Sequence, residues 1–72
     1  MNLNELTVAL GNVSGTPIAI YIGTDDMVEL LNDKVASSYI GNGNFKENKP
    51  RTFNGLPIFE VGLKRHLRII SQ

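Results

Sequence analysis

Seventy-two residues make one domain, and a chain this short removes only about 60% of its unfolded surface from water, so its core must be thin. Cysteine is absent, which excludes disulfides and thiolate metal sites, and the single histidine, His66, cannot build a zinc site alone. Basic and acidic residues cancel at seven each, yet residues 1–33 hold five acids and no Lys or Arg, whereas residues 34–72 hold all seven bases against two acids. Small domains without disulfides or metals lean on association. If the two halves occupied opposite faces, copies would attract head to tail; interleaving of the charges within one fold is the simpler alternative.

Residues 2–10 read as a short helix, because Leu3, Leu6 and Leu10 share a face and Asn2 or Asn4 can cap it. Gly11 is placed as its stop, and Pro17 closes the break. The continuous run Ile18-Ala19-Ile20-Tyr21-Ile22 predicts a strand buried on both faces at the centre of a sheet. A second helix is predicted from Thr24 or Asp25 to about Tyr39, with Asp26 and Glu29 as an acidic capping pattern. Its apolar stripe is Met27, Leu30, Leu31, Val35 and Tyr39.

Residues 41–52 offer little that suits a core except Phe45, and are expected to form an exposed, mobile loop. Asn54-Gly55 is a tight-turn pair. Residues 56–61 follow as a strand in which Pro57 should stand at the start or on an edge, and residues 66–70 return as the last strand. The expected fold is a single α+β domain over residues 1–72, in the order α-β-α-(long loop)-β-β, with two helices on a three- or four-stranded sheet.

The longest apolar run falls far short of the roughly 20 residues of a membrane span, and the first residues lack the basic start of a signal peptide. No membrane partner is expected. Asp25-Asp26 as a metal or acid pair lacks a third ligand at helical spacing, so capping accounts for it better. Gly41-Asn42-Gly43 as a phosphate cradle follows a helix C-terminus, where the dipole repels anions. His66 has no nucleophile or orienting carboxylate placed beside it by any motif, so a structural role is expected. The apolar runs at 18–22, 27–31 and 56–61 are needed for the core and leave little room for a pocket. Neither a catalytic residue nor a cofactor is expected.

The interaction set singled out by the sequence is Phe45, Lys46, Lys49 and Arg51, extended by Lys64, Arg65 and Arg68 if the last hairpin lies beside the loop. Bases neutralise phosphates and rings such as Phe45 and Phe53 can stack on unpaired bases, but Glu47 in the same loop and the zero net charge favour a solvated or protein-contacting loop.

Several stretches resemble part of the axial domain of tailed-bacteriophage major capsid (coat) proteins. They are Pro17-Ile18-Ala19-Ile20-Tyr21-Ile22-Gly23-Thr24-Asp25, a helix ending near Tyr39, Phe53-Asn54-Gly55-Leu56-Pro57-Ile58-Phe59-Glu60-Val61, and Leu67-Arg68-Ile69-Ile70 as a last strand. The resemblance implies a strand at 18–22 inside the sheet, a loop at 41–52 reaching toward neighbouring subunits, and no catalytic residue. The chain has no room for the long spine helix, extended loop and N-terminal arm of a complete coat protein. The expectation is a non-catalytic protein–protein interaction domain, a phage-derived structural or capsid-assembly protein found in the virion or host cytoplasm. Its partner would be a homo-oligomer or a larger viral or host assembly. Two alternatives stand beside it: a small nucleic-acid-binding module using the basic second half, and a small phage-encoded inhibitor of a host enzyme.

Overall fold

A computed structural model describes the backbone of residues 1–72 and every side chain except that of Phe45. The order is α1 (Leu3–Asn12), β1 (Pro17–Ile22), α2 (Thr24–Asn32), α3 (Lys34–Ser37), β2 (Ile40–Gly41), a 3-10 turn (Phe45–Glu47), β3 (Arg51–Phe53), β4 (Leu56–Glu60) and β5 (Leu67–Ser71). The α+β class holds, but the sheet has five strands in the order β2-β3-β4-β1-β5, and three helices replace the expected two. β1 runs parallel to β4 and antiparallel to β5; the remaining neighbours are antiparallel.

Each departure has a local cause. Asn2 does cap α1, its side chain accepting from the Glu5 N–H at 2.8 Å, but the helix runs through Gly11 to Asn12. The second helix breaks at Asp33, whose carboxylate accepts from the N–H groups of Val35 and Ala36 and so starts α3 afresh. The break shifts the helical phase. Ala36 is buried in place of Val35 and Tyr39, both of which are exposed. Residues 41–52, expected as one irregular loop, contribute Gly41 to β2 and Arg51 and Thr52 to β3, which pair antiparallel.

The turn from β3 to β4 is as the Asn-Gly pair predicts: Asn54 and Gly55 both take positive φ, 48° and 83°, the two-residue geometry whose twist matches the flanking strands. Pro57 faces Thr52 inside the sheet, neither first in its strand nor on an edge. It is tolerated because the ladder with β1 begins one residue later, at Ile58.

Alternation along the strands divides the sheet into two faces. Ile20 and Ile22 of β1, Ile58 of β4 and Phe53 of β3 join Leu6, Met27, Leu30 and Ala36 of the three helices in one core, with Leu56, Leu67 and Ile69 packed against it. All three helices therefore cover the same face. The strand at 18–22 does lie inside the sheet, but it is buried on one face only, since Tyr21 is half-buried between the buried Ile20 and Ile22, with Ala19 half-buried and Ile18 exposed before them.

Candidate functional site

Ala19, Tyr21, Pro57, Phe59, Val61, Arg68 and Ile70 turn to the uncovered face. The register sets Tyr21 beside Phe59 on one side and Arg68 on the other. The two rings stack with centroids 5.3 Å apart and planes at 27°. Tyr21, Val61, His66, Arg68 and Ile70 line a shallow depression of about 320 Å³. A second depression, of about 250 Å³, is lined by Phe59 with Asn48, Lys49 and Pro50. An apolar band thus crosses β4, β1 and β5, with Lys49 at one end and Arg68 and His66 at the other. A ring pair flanked by cations on an uncovered sheet suits an apolar partner surface rimmed with carboxylates.

The sequence-selected residues scatter over this frame. Lys49 and Arg68 border the band. Lys46 is exposed in the 3-10 turn and Lys64 in the β4–β5 connection. Lys49 pairs with Glu47 at 3.3 Å and Arg51 with Glu60 at 3.9 Å, contacts that are worth little because both partners are solvated. Phe45 lies outside the described side chains. Phe53 is 3% exposed and packs beside Tyr39 with centroids 6.0 Å apart, so it cannot offer a face to a base.

Arg65 is committed elsewhere. Its guanidinium donates to Asp26 Oδ1 at 2.8 Å and to both carboxylate oxygens of Glu29, the second at 3.0 Å. Asp26 is 4% exposed and also accepts from the His66 N–H at 2.9 Å and the Met1 ammonium at 3.2 Å. Met1 further contacts Glu29. Asp26 is therefore more than a helix-start acid: it ties α2 to the β4–β5 connection. The connection answers with its carbonyls, Leu63 accepting from Thr24 N at 2.8 Å and Lys64 from Asp25 N at 3.0 Å. These N–H groups belong to the orphan donors of α2, and Gly23 supplies no side-chain cap.

Burial would raise the Asp26 carboxyl; hydrogen bonds from Arg65, the His66 amide and the Met1 ammonium outweigh it, and the group sits below its ordinary value. Glu29 is held at about 2, chiefly by its hydrogen bonds from Arg65 and then from Met1. Arg65 is raised by the same two carboxylates. The opposite-signed halves of the sequence thus meet at this cluster within one molecule, as the interleaved alternative holds.

Tyr21, Phe59, Val61 and Ile70 were not among the sequence-selected residues. Tyr21 sat inside an unbroken apolar run, and only the pairing register reveals that it and Phe59 share an uncovered face. Among the described residues, no cluster of His, Cys, Asp and Glu could hold a metal ion, and no helix is long and apolar enough to cross a membrane. No known protein family, characterised protein or solved structure matches this chain.

Proposed function

We propose that this chain is a non-catalytic protein-interaction domain whose uncovered sheet face docks a partner subunit within a larger assembly, of the viral-shell kind that the coat-protein resemblance implies. One observation carries the reading: the Tyr21–Phe59 stack crosses a sheet face that no helix covers, in a domain whose helices all crowd the other side. Aromatic anchors on an open face, rimmed by Lys49, Arg68 and His66, are the usual composition of a protein contact. Of the loop bases Lys49 stands at its rim, whereas Arg51 faces Ile58 and pairs with Glu60.

The test is co-sedimentation of the chain with large particles from native lysate, comparing wild type with Phe59→Asp, Arg68→Glu and the triple charge reversal at Lys46, Lys49 and Arg51. Wild type should migrate with the particles. Phe59→Asp should return to the top of the gradient with its circular dichroism unchanged, and the two charge reversals should weaken retention. Identical migration of wild type and a folded Phe59→Asp would defeat the reading.

A second reading has its own observation. Two stacked rings on adjacent strands beside Arg68 and Lys49 also make a platform for single-stranded nucleic acid. Oligonucleotide titration across a salt series separates the two. A nucleic-acid platform would lose affinity steeply with salt, and a protein-docking face would bind no oligonucleotide.

A further inference from the structure

The two edges of the sheet are unlike. β2 is two residues long, and shortness is one of the devices that blunt an edge. β5 runs for five residues, Leu67-Arg68-Ile69-Ile70-Ser71, with neither Pro nor Lys among them, and among the described residues it pairs only with β1.

Facing residues in an antiparallel pair alternate between those that exchange hydrogen bonds and those that do not. Gly23 N donates to the His66 carbonyl at 3.0 Å, so the bonded positions of β5 run through 66, 68 and 70. At the far end Thr16 and Gln72 exchange both bonds, at 3.1 and 2.9 Å, which keeps the same alternation. Leu67, Ile69 and Ser71 consequently aim their N–H and C=O groups away from β1, along the outer edge.

We propose that this edge pairs with β5 of a second copy, antiparallel about a twofold axis through Ile69, joining two sheets into one of ten strands. The occupant follows from the pairing rules. A twofold at Ile69 sets Ile69 against Ile69 and Leu67 against Ser71 of the second copy, so every outward residue finds a bonded partner. It also sets Arg68 opposite Ile70. A twofold at residue 68 would oppose the two Arg68 side chains, and like charges directly opposite are destabilising. A twofold at residue 70 would pair Ile69 with Ser71 but set Leu67 past the end of β5. The chain carries no net charge, so copies do not repel as wholes. The pairing uses main-chain groups at the rim of the sheet, which the docking face above does not, although its side-chain neighbours Arg68 and Ile70 also line that face.

The register makes a prediction with a sign. Ile70 lies on the uncovered face, outside the core, so it can be replaced without opening a cavity. Ile70→Glu would face Arg68 of the second copy twice over, whereas Ile70→Lys would confront it with like charge. Sedimentation velocity from micromolar to millimolar chain should show a concentration-dependent dimer, with the Glu variant dimerising roughly tenfold more tightly than the Lys variant. Amide exchange at Leu67, Ile69 and Ser71 should slow as concentration rises. Circular dichroism establishes that both variants fold. A chain that stays monomeric throughout, a dimer whose three outward amides exchange as fast as in dilute solution, or equal affinities for the two variants would each overturn the proposal.

Discussion

Asp26 and Arg65 meet at 2.8 Å across 39 residues of sequence, and their contact joins the start of α2 to the connection that leads into β5. Because Asp26 is buried, removing it takes away the acceptor of the His66 N–H, while Arg65 and Met1 keep only Glu29. Asp26→Ala should lower the unfolding free energy by about 2 kcal/mol, within the range for hydrogen bonds to a charged group. Glu29→Ala, whose side chain is solvated, should cost much less. Urea denaturation of the two variants measures both, and equal losses would show that Asp26 is an ordinary surface acid.

The same cluster sets the response to acid. Both carboxyls are depressed in the folded chain, Glu29 to about 2 from an ordinary 4.5, so the unfolded chain binds protons first as pH falls. Their contribution is fully present above the ordinary carboxylate range and disappears as pH drops through the folded values. Urea midpoints should therefore fall between about pH 5 and pH 2. The Asp26→Asn, Glu29→Gln double variant should give a flatter profile over that window. A wild-type midpoint that holds level to pH 2 would contradict the assignment.

How far the sequence reaches depends on whether its signals are local. The β1 strand, the Asn54-Gly55 turn and the Asn2 cap are encoded by neighbouring residues and appear where the pattern places them. Asp33 carried a local signal too, a capping acid ahead of Val35 and Ala36, but the apolar stripe continuing to Tyr39 masked it. The pairing of β2 with β3 had no such signal. Gly41 and Thr52 pair across the polar connection 42–50, which carries no tight-turn pair at its tip, so polar composition dominated and the segment read as loop. The candidate site was hidden for the same reason: Tyr21 and Phe59 are neighbours only through the parallel β1–β4 pairing, which no turn announces.

Two glycines should differ in a way that reports the packing of the β4–β5 connection. Gly55 has a φ of 83° and open space where a Cβ would go, so Gly55→Ala should cost only the backbone preference, about 1 kcal/mol. At Gly23 an added Cβ would lie 2.4 Å from the Lys64 carbonyl oxygen and 2.8 Å from the His66 nitrogen, both main-chain atoms. Gly23→Ala must therefore push the connection off α2, breaking the carbonyl caps and the Asp26 contacts together. Thermal melts should show the Gly23 variant to be the less stable by a clear margin. The reverse order would mean that the connection packs more loosely than described.

Phe53 and Phe59, six residues apart, separate core from contact surface. Phe53 is buried to 3% exposure beside Tyr39 and Ile40, where it carries the β2–β3 end of the sheet into the core, whereas Phe59 is 38% exposed and stacks on Tyr21. Truncating a buried Phe removes its transfer energy and leaves a cavity, so Phe53→Ala should destabilise by about 3–5 kcal/mol. Phe59→Ala should lose about 1 kcal/mol, because much of its ring already meets water and no sealed cavity forms. Binding should order the two the other way: Phe59→Ala, still folded, loses its partner, while conditions that keep Phe53→Ala folded keep the partner bound. A chain that tolerates Phe53→Ala but collapses with Phe59→Ala would place the core on the opposite face of the sheet, and the open face would cease to be a candidate for docking.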